Sequence, residues 1–280
     1  MTQAQLPKKD LVVAFIGAGN MARSLIAGLM KDDRSFTLRV ADPAQEQLDV
    51  IRRHWPDIQV TVDNLTAIDG ADVVILAVKP QTMQAVLEPL AERAQLQRPV
   101  FVSVAAGVRE RSMNAWLGGG LPIVRCMPNT PALVQVGATG LFANTLVSAE
   151  QHNLAERILR TVGIALWFAE EDKLDAVTAV SGSGPAYFFL VMEAMQKAAE
   201  SLGLEAKEAN LLVIQTALGA ARLALESEDP PAVLRERVTS KGGTTEAALK
   251  KLNDGGLIPL FGEALQAAAE RSRELAAQQG

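Results

Sequence analysis

The sequence is poor in the residues that most often carry covalent cross-links or acid-base chemistry. It has one cysteine, Cys126, two histidines and one tyrosine in 280 residues. A single cysteine excludes intrachain disulfides and a cysteine-based metal cage. His54 and His152 lie in no glycine-rich or hydroxyl-rich motif, so we expect neither to act as a base. Any reaction that this chain catalyses must therefore run without histidine.

Aromatic residues, runs of positive charge and long apolar segments are also scarce. Aromatics make up 4% of the chain, and the net charge is −5, which disfavours a nucleic-acid partner. No segment approaches the roughly 20 apolar residues that span a bilayer, and the amino terminus, MTQAQLPKKD, is polar. We therefore expect no nucleic-acid partner, no membrane and a cytoplasmic location. The 49% of hydrophobic residues is enough for two domains with a sizeable core.

Residues 11–22 are typical of a strand, a tight turn and a helix start. The apolar run LVVAFI precedes a G-x-G-x-x-A motif. In this motif Gly17 makes the turn, Gly19 lets the backbone approach a pyrophosphate, and the small Ala22 lets helix and strand pack closely. A second strand-like run ends at Asp42, near the position about 20 residues on where a ribose-binding acid is expected. The pattern predicts dinucleotide binding.

The choice between NADPH and NADH stays open at this point. Asp42 would accept a hydrogen bond from a free 2′-hydroxyl and repel a 2′-phosphate. Arg39 and Lys79 are candidate cations for that phosphate, and Asn64 is a candidate donor.

Strand-like runs that alternate with helical segments predict an α/β Rossmann-type fold with a doubly wound parallel sheet. The further runs are residues 72–78, 99–106, 122–127, 164–168 and a hairpin-like stretch at 138–143. Ligands of such sheets lie beyond the carboxyl ends of the strands. Turns fall there at Lys79-Pro80, at Ala105-Ala106-Gly107 and at residues 127–131. Each could be ordinary turn chemistry, but together they favour a crevice that holds the cofactor.

The second part of the chain is helical in pattern. We expect residues 1–169 to form the dinucleotide-binding domain and residues 170–280 an all-helical domain for substrate binding and dimerisation. A short helix at 172–180, a break at SGSGP and a long helix at 185–202 are predicted.

The next predicted helix, at residues 207–225, carries only Arg222 as a charge from residue 211 onward, so it must be buried on every face. About 110 residues can hardly surround such a helix, which favours an intertwined homodimer.

The stretch VTSKGGTTEAAL, residues 238–249, is the most informative of the sequence. Two glycines and several hydroxyls stand just ahead of an Ala/Leu-rich helical pattern. Glycines let a ligand approach, and the free first-turn amides and the helix dipole favour a carboxylate or phosphate. Thr244 or Thr245 with Glu246 could also be a helix cap and nothing more.

Five motifs follow one another along the chain: GAGNMA (17–22), LAVKPQ (76–81), RCMPNTPALV (125–134), EEDKLDAVTAVSGSGPAY (170–187) and VTSKGGTTEAAL (238–249). With these motifs in this order, the chain resembles the pyrroline-5-carboxylate reductase family. The resemblance runs from about residue 11 to residue 275. It implies reduction of 1-pyrroline-5-carboxylate to L-proline with NADPH or NADH, the last step of proline biosynthesis. It further implies a helical domain that forms an interlocked homodimer, often assembled as five dimers in a decamer.

The resemblance, with the strand-end turns and Asp42, assigns site residues. The expected cofactor contacts are Gly17, Ala18, Gly19, Asn20, Met21, Asp42, Asn64, Ala77, Val78, Lys79, Pro80, Ala105 and Ala106. The expected substrate contacts are Glu171, Thr178, Ser240, Gly242, Gly243, Thr244 and Thr245, with the Thr245 hydroxyl as the catalytic group facing the ring nitrogen. Lys241 stands where many family members have proline, which should leave the loop more mobile.

Two other functions are compatible with parts of this sequence. A β-hydroxyacid dehydrogenase would use a lysine a few residues beyond the glycine-rich segment that opens its second domain, but no lysine follows Gly184 before Lys197. A non-catalytic dinucleotide sensor would bind the cofactor without turnover, and the intact Gly242, Gly243 and Thr245 disfavour it.

Overall fold

A computed structural model of the chain describes residues 11–32 and 36–279, so the polar amino terminus named above lies outside the described residues. The strands are β1 (Leu11–Ile16), β2 (Phe36–Ala41), β3 (Gln59–Thr61), β4 (Val73–Leu76), β5 (Val100–Ser103), β6 (Ile123–Met127), β7 (Gly137–Ala143) and β8 (Gly163–Trp167). The helices are α1 (Asn20–Asp32), α2 (Gln45–His54), α3 (Asn64–Ile68), α4 (Met83–Leu87), α5 (Ala91–Gln97), α6 (Glu110–Trp116), α7 (Ala149–Arg160), α8 (Lys173–Val177), α9 (Gly184–Ser201), α10 (Ala206–Glu226), α11 (Pro231–Arg237), α12 (Thr244–Asp254) and α13 (Leu257–Gln278).

The described strands form one sheet in the order β3-β2-β1-β4-β5-β6-β7-β8. Strands β1 to β6 are parallel, whereas β7 runs antiparallel to β6 and parallel to β8. The predicted Rossmann-type sheet is confirmed. The hairpin-like stretch is β7, and a 3-10 helix at Thr130–Val134 lies in its connection from β6.

Helices cover both faces of this sheet because its strands are apolar on both sides. In β1, Val13 and Phe15 belong to one hydrophobic cluster, while Ala14 and Ile16 belong to the other, and all four are fully or almost fully buried. Successive residues of a strand point to opposite faces, so a continuous apolar run requires a layer on each side. This arrangement leaves the strand ends as the accessible edge of the sheet.

The chain divides into two compact units. The first, called here the sheet unit, comprises the described residues up to Ser183 together with residues 268–279; the second, the helical unit, is Gly184–Ala267. Residues 170–183, expected to open the helical domain, pack with the sheet, and so does the end of α13. Contact between residues far apart in the chain, rather than the helical pattern, produces this division.

A buried ionic network shows why the last turns of α13 belong to the sheet unit. Asp175 in α8 accepts a hydrogen bond of 2.7 Å from Arg109 Nη2 and one of 2.7 Å from Ser272 Oγ in α13. The side chain of Asp175 is 5% exposed and that of Arg109 is 14% exposed. Asp172 lies 3.1 Å from Arg109 Nη1 but is open to solvent. The network joins three segments that are distant in sequence.

The predicted break at residues 181–185 is milder than expected. Residues Thr178–Gly182 form a π-helical turn between α8 and α9, so the backbone from Lys173 to Ser201 is nearly one helix. Within the described residues this stretch is long and apolar enough to cross a bilayer by length and composition. The expectation that no segment approaches a membrane span was therefore wrong for this stretch.

The helical unit leaves much apolar surface open in the single chain. Helices α9 and α10 pack against each other, yet only Ala209 and Val213 of α10 are buried. Exposed apolar side chains of the pair include Phe188, Phe189, Leu190, Leu211, Leu212, Leu218 and Leu225. The expected all-round burial of α10 does not arise within one chain. An apolar surface of this extent indicates an interaction site.

Removing Asp175 should destabilise the sheet unit strongly. Asp175→Ala leaves the Arg109 guanidinium buried without its carboxylate, so we expect the free energy of unfolding to fall by about 3–5 kcal/mol. Urea unfolding measures this change in the free energy of unfolding. The matched control is Asp172→Ala, which removes an exposed partner of the same arginine and should cost at most about 1 kcal/mol. Equal losses in the two variants would contradict the network.

Candidate active site

The glycine turn after β1 is held against two neighbouring strand ends. Gly17 N–H donates to the carbonyl of Ala41 at 2.8 Å, and Ala77 N–H donates to the carbonyl of Ile16 at 2.8 Å. Gly17 has φ +100°, and a Cβ there would lie 2.6 Å from the Ala77 oxygen. Glycine is therefore required by both the backbone conformation and the close approach. The ends of β1, β2 and β4 thus meet at this turn.

The other side of the turn offers room and donors for a pyrophosphate. A Cβ on Gly19 would meet no protein atom within 4 Å. Among the described residues, no acceptor faces the amides of Gly19, Asn20 and Met21 at the start of α1. Free amides at a helix start attract phosphate oxygens. These features fit a dinucleotide, and Gly17, Ala18, Gly19, Asn20 and Met21 would hold its pyrophosphate.

Asp42 is part of the turn itself. Its Oδ2 accepts the Ala18 amide at 2.8 Å, and its Oδ1 accepts the Ala44 amide at 2.8 Å. The carboxylate therefore fixes the turn to the start of α2. This supporting role was not indicated by the motif, and the expected contact of Asp42 with a ribose stays a prediction.

Arg23 is a second support that the sequence analysis missed. Its Nε donates to the Ala18 carbonyl at 2.9 Å, and its Nη2 donates to the Gln47 side chain. Arg23 lies one and a half helical turns beyond Ala18, a spacing that no binding motif marks. Only the curvature of the turn brings the two groups together.

The remaining predicted cofactor residues lie at strand ends of the same edge. Ala77 and Val78 flank Gly17, and Val78 Cγ1 is 3.2 Å from the position of a Gly17 Cβ. Lys79 is exposed and precedes a 3-10 helix that begins at Pro80. Asn64 opens α3. Ala105 and Ala106 follow β5, and of these Ala105 is buried and Ala106 exposed.

Glu171 is bound by Arg125 and a backbone amide. Its Oε1 accepts Arg125 Nη1 at 2.7 Å and Glu110 N–H at 2.7 Å. Burial lowers the pKa of Arg125, while the charge of Glu171 raises it. An arginine buried in this way needs its carboxylate partner. The contacts of Glu171 are thus structural ones, and its expected place beside the substrate stays a prediction.

Thr178 begins the π-helical turn, and its hydroxyl donates to the Leu174 carbonyl at 2.8 Å. The turn is tied to the loop after β6 by Asn129, whose Nδ2 donates to the Ser181 carbonyl at 3.1 Å and whose Oδ1 accepts Ala138 N–H at 2.9 Å. The MPNTP motif therefore has a clear structural use for its asparagine. The expected role of Thr178 at the substrate also stays a prediction.

The glycine loop of the helical unit is built as a helix start. Gly242 has φ +73°, Gly243 N–H donates to the Ser240 carbonyl at 3.0 Å, and α12 follows at Thr244. A Cβ on Gly243 would lie 2.5 Å from Ser240 Oγ, so the serine packs directly against this glycine. Ser240 thereby shapes the loop.

No side chain caps α12. Within the part of the chain that the structure describes, no acceptor faces the amides of Thr244, Thr245 and Glu246, and the Thr245 hydroxyl has no partner. The capping alternative is therefore wrong for both threonines. Glu246 instead accepts Gly242 N–H at 2.7 Å through Oε2, which fixes the glycine turn from within the helix. Three amides and one hydroxyl are left for a ligand.

Cys126 and the two histidines lie outside the glycine turn and the glycine loop. Cys126 is buried, and burial raises the pKa of its thiol far above the usual range. His54 Nδ1 bonds the Val50 carbonyl at 2.8 Å, and the His152 ring stacks on Trp167 with 3.7 Å between ring centroids.

Comparison with known proteins covers almost the whole chain. Residues 171–275 match the family model for pyrroline-5-carboxylate reductase dimerisation, and residues 12–107 match that of the NADP oxidoreductases described as coenzyme F420-dependent. The pyrroline-5-carboxylate reductase of Pseudomonas aeruginosa is 53% identical over 269 residues, which are 96% of this chain and 98% of that protein. The chain belongs to the pyrroline-5-carboxylate reductase family.

Solved structures of pyrroline-5-carboxylate reductases agree with this fold. The enzyme from Coxiella burnetii is 46% identical with a TM-score of 0.90 and covers 96% of this chain and 99% of its own. The enzyme from Plasmodium falciparum, solved with NADP bound, is 25% identical with a TM-score of 0.83, covering 96% and 99%. As a pyrroline-5-carboxylate reductase family member, the chain is an NAD(P)H-dependent oxidoreductase and forms homo-oligomers.

Two glycine variants separate folding from cofactor binding. Gly17→Ala should lower both the free energy of unfolding and NAD(P)H affinity, since backbone strain at positive φ alone costs about 1–3 kcal/mol. Gly19→Ala should keep the melting temperature near that of the unaltered protein and weaken NAD(P)H binding, because its methyl group enters only the open space. Calorimetric titration and thermal unfolding measure the two effects. A Gly19→Ala protein with unaltered NAD(P)H affinity would contradict the pyrophosphate assignment.

Proposed function

We propose that the chain reduces the C=N bond of 1-pyrroline-5-carboxylate to give L-proline, the last step of proline biosynthesis, with Thr245 as its catalytic hydroxyl. Relatives named for this activity cover both units at up to 53% identity, and this similarity carries the proposal. The free amides and hydroxyl at the start of α12 support the residue roles within it.

The sheet unit would hold NADPH or NADH. Its glycine turn would bind the pyrophosphate, Asp42 and Asn64 would lie on the adenosine side, and Ala77, Val78, Lys79, Pro80, Ala105 and Ala106 would line the nicotinamide side. The bound cofactor supplies a hydride. A 2.8 Å bond from the turn to Asp42 fixes this surface before any ligand binds, which reduces the ordering cost of cofactor binding.

The loop of the helical unit would hold the substrate carboxylate. The amides of Thr244, Thr245 and Glu246 are free donors at the positive end of an eleven-residue helix. Gly242 and Gly243 keep the approach clear of side chains, and Ser240 shapes the turn. Lys241 is exposed on this loop, and its positive charge would attract an anionic substrate.

The chemistry needs few polar groups. A cyclic imine is partly protonated near neutral pH, and an iminium carbon accepts hydride without further acid catalysis. The protein therefore works mainly by holding the partners in place. The Thr245 hydroxyl, which has no partner among the described residues, would orient the ring nitrogen or donate to it as it becomes an amine. This mechanism agrees with the expectation that neither histidine acts as a base.

The exposed apolar faces of the helical unit bear on how copies of the chain assemble. We infer that the apolar faces of α9 and α10 form an intertwined homodimer, and that five dimers associate in a decamer. That interface would also account for the apolar stretch Lys173–Ser201 without a membrane. We further propose that the enzyme is cytoplasmic. We also propose that it has no nucleic-acid partner, because its net charge is −5 and it has no basic run.

Turnover is tested by the decay of nicotinamide absorbance with 1-pyrroline-5-carboxylate and identification of proline as the product. Thr245→Ala should lose one hydrogen bond to the transition state, about 1–3 kcal/mol or roughly a 5- to 150-fold lower kcat/KM. Thr245→Ser keeps the hydroxyl and should restore most of the activity. Full activity of Thr245→Ala would remove Thr245 from catalysis, and cofactor binding without turnover would favour the sensor.

The interface is tested by charging one face of α10. Leu211 and Leu218 lie two helical turns apart and are 67% and 58% exposed in the single chain. We expect Leu211→Glu with Leu218→Glu to give a smaller assembly by sedimentation velocity, since buried unpaired charge is costly. Leu96→Glu is the control, because Leu96 of α5 is 76% exposed, and it should leave the mass unchanged. An unaltered mass of the double variant would place the interface elsewhere.

A further inference from the structure

We propose that this chain binds NADH in preference to NADPH and that Asp42 selects between them. The inference deepens the proposed function, because it concerns the dinucleotide at the same edge of the sheet. It starts from the observation that both oxygens of the Asp42 carboxylate already accept backbone hydrogen bonds.

Those two bonds prevent Asp42 from moving aside. Oδ2 holds the Ala18 amide of the glycine turn, and Oδ1 holds the Ala44 amide next to α2. Rotating the side chain away from a 2′-phosphate would release both amides and loosen the turn that binds the pyrophosphate. The repulsion between the two anions would therefore stay in full. A ribose 2′-hydroxyl can instead donate to a remaining lone pair of either oxygen.

No free cation lies in the two segments beside Asp42. Residues 36–47 contain one basic residue, Arg39, and residues 59–66 contain none. Arg39 Nη1 donates to the Asp69 carbonyl. Asp69 also binds Gln97 and Arg93 through its carboxylate, and the pKa of Asp69 is lowered by Gln97, Arg93 and Arg39. Arg39 is thus committed to α3 and its following turn.

The neighbouring strand end adds a second carboxylate. Asp42 N–H donates to the Thr61 carbonyl at 3.2 Å, and Asp63 follows two residues later at the start of α3. Asp63 accepts the amides of Leu65 and Thr66, and hydrogen bonds from Thr66 lower the pKa of Asp63. This side chain is likewise fixed and negatively charged at neutral pH.

Two further cations among the described residues, Arg23 and Lys79, are poorly placed to bind a 2′-phosphate. Arg23 is bound to the Ala18 carbonyl and to Gln47. Lys79 follows β4, and the strand order puts β1 between β4 and β2. Lys79 therefore starts two strand spacings, about 10 Å, from the end of β2. Among the described residues, the charged side chains that directly follow β2 and β3 are the carboxylates of Asp42 and Asp63.

The test measures binding on the full-length protein without substrate. Calorimetric titration should give a dissociation constant for NADH at least about tenfold below that for NADPH, given the interaction of two like charges near a protein surface. Asp42→Asn should reduce this ratio about tenfold or more, since the amide carries no charge and its nitrogen cannot accept a backbone N–H. Asp49→Asn, an exposed carboxylate of α2 bonded to Gln45 and Arg52, is the matched control and should leave the ratio unchanged.

A second variant covers the case in which Asp42→Asn fails to fold. Ala44→Arg keeps the Ala44 amide on Asp42 and places a cation at an exposed position beside it. It should raise NADPH affinity relative to NADH. Tighter binding of NADPH by the unaltered protein, or a ratio that neither variant shifts, would overturn the proposal. Selective NADH binding with no reduction of 1-pyrroline-5-carboxylate would instead sustain it while the proposed function fails.

Discussion

The close approach of Gly17 to the Ala77 carbonyl is the constraint on which the cofactor edge depends. It lets the chain leave β1, bond the end of β2 and enter α1 within three residues. A side chain at Gly17 would separate β1 from β4, and the amides at the start of α1 would no longer converge. Asp42 and Arg23 hold the same turn from the side of α2. The surface that would bind the pyrophosphate is therefore formed by backbone and fixed by side chains that need not touch it.

The sheet unit also depends on a set of buried charges. Arg109 and Arg125 are matched by Asp175 and Glu171, each at 2.7 Å. Such pairs cost desolvation and add little net stability, but each member becomes indispensable once the other is buried. Their effect here is to fix α8 and the end of α13 to the sheet. Glu171 and Asp175 of the family motif therefore have structural roles as partners of buried arginines.

The helical unit, in contrast to the sheet unit, exposes much apolar surface. Its helices α9 and α10 are apolar on faces that one chain leaves open. An exposed apolar surface of this size marks an interaction site. The match of residues 171–275 to a family model for dimerisation agrees with such a site.

Much of this protein could be predicted from local pattern. The apolar runs, the G-x-G-x-x-A turn and the glycine loop before α12 were placed correctly because strand and helix periodicity, glycine and helix-start chemistry act within a few residues. The predicted ends of the strands and helices were less accurate. The run at 72–78 contains a strand of only four residues, and the predicted break at 181–185 overlaps a π-helical turn at Thr178–Gly182. Packing against neighbouring elements decides where such hydrogen-bonded segments end.

The sequence by itself determined the fold class, the family and the two glycine motifs. Only the tertiary structure decided which polar groups are free and which are engaged. Asp42 is anchored by two amides, Arg39 is bound at Asp69, and Asp175 bonds a serine 97 residues away. Spacing along the chain carries no information about such contacts, because they arise when separate elements pack around the same edge of the sheet.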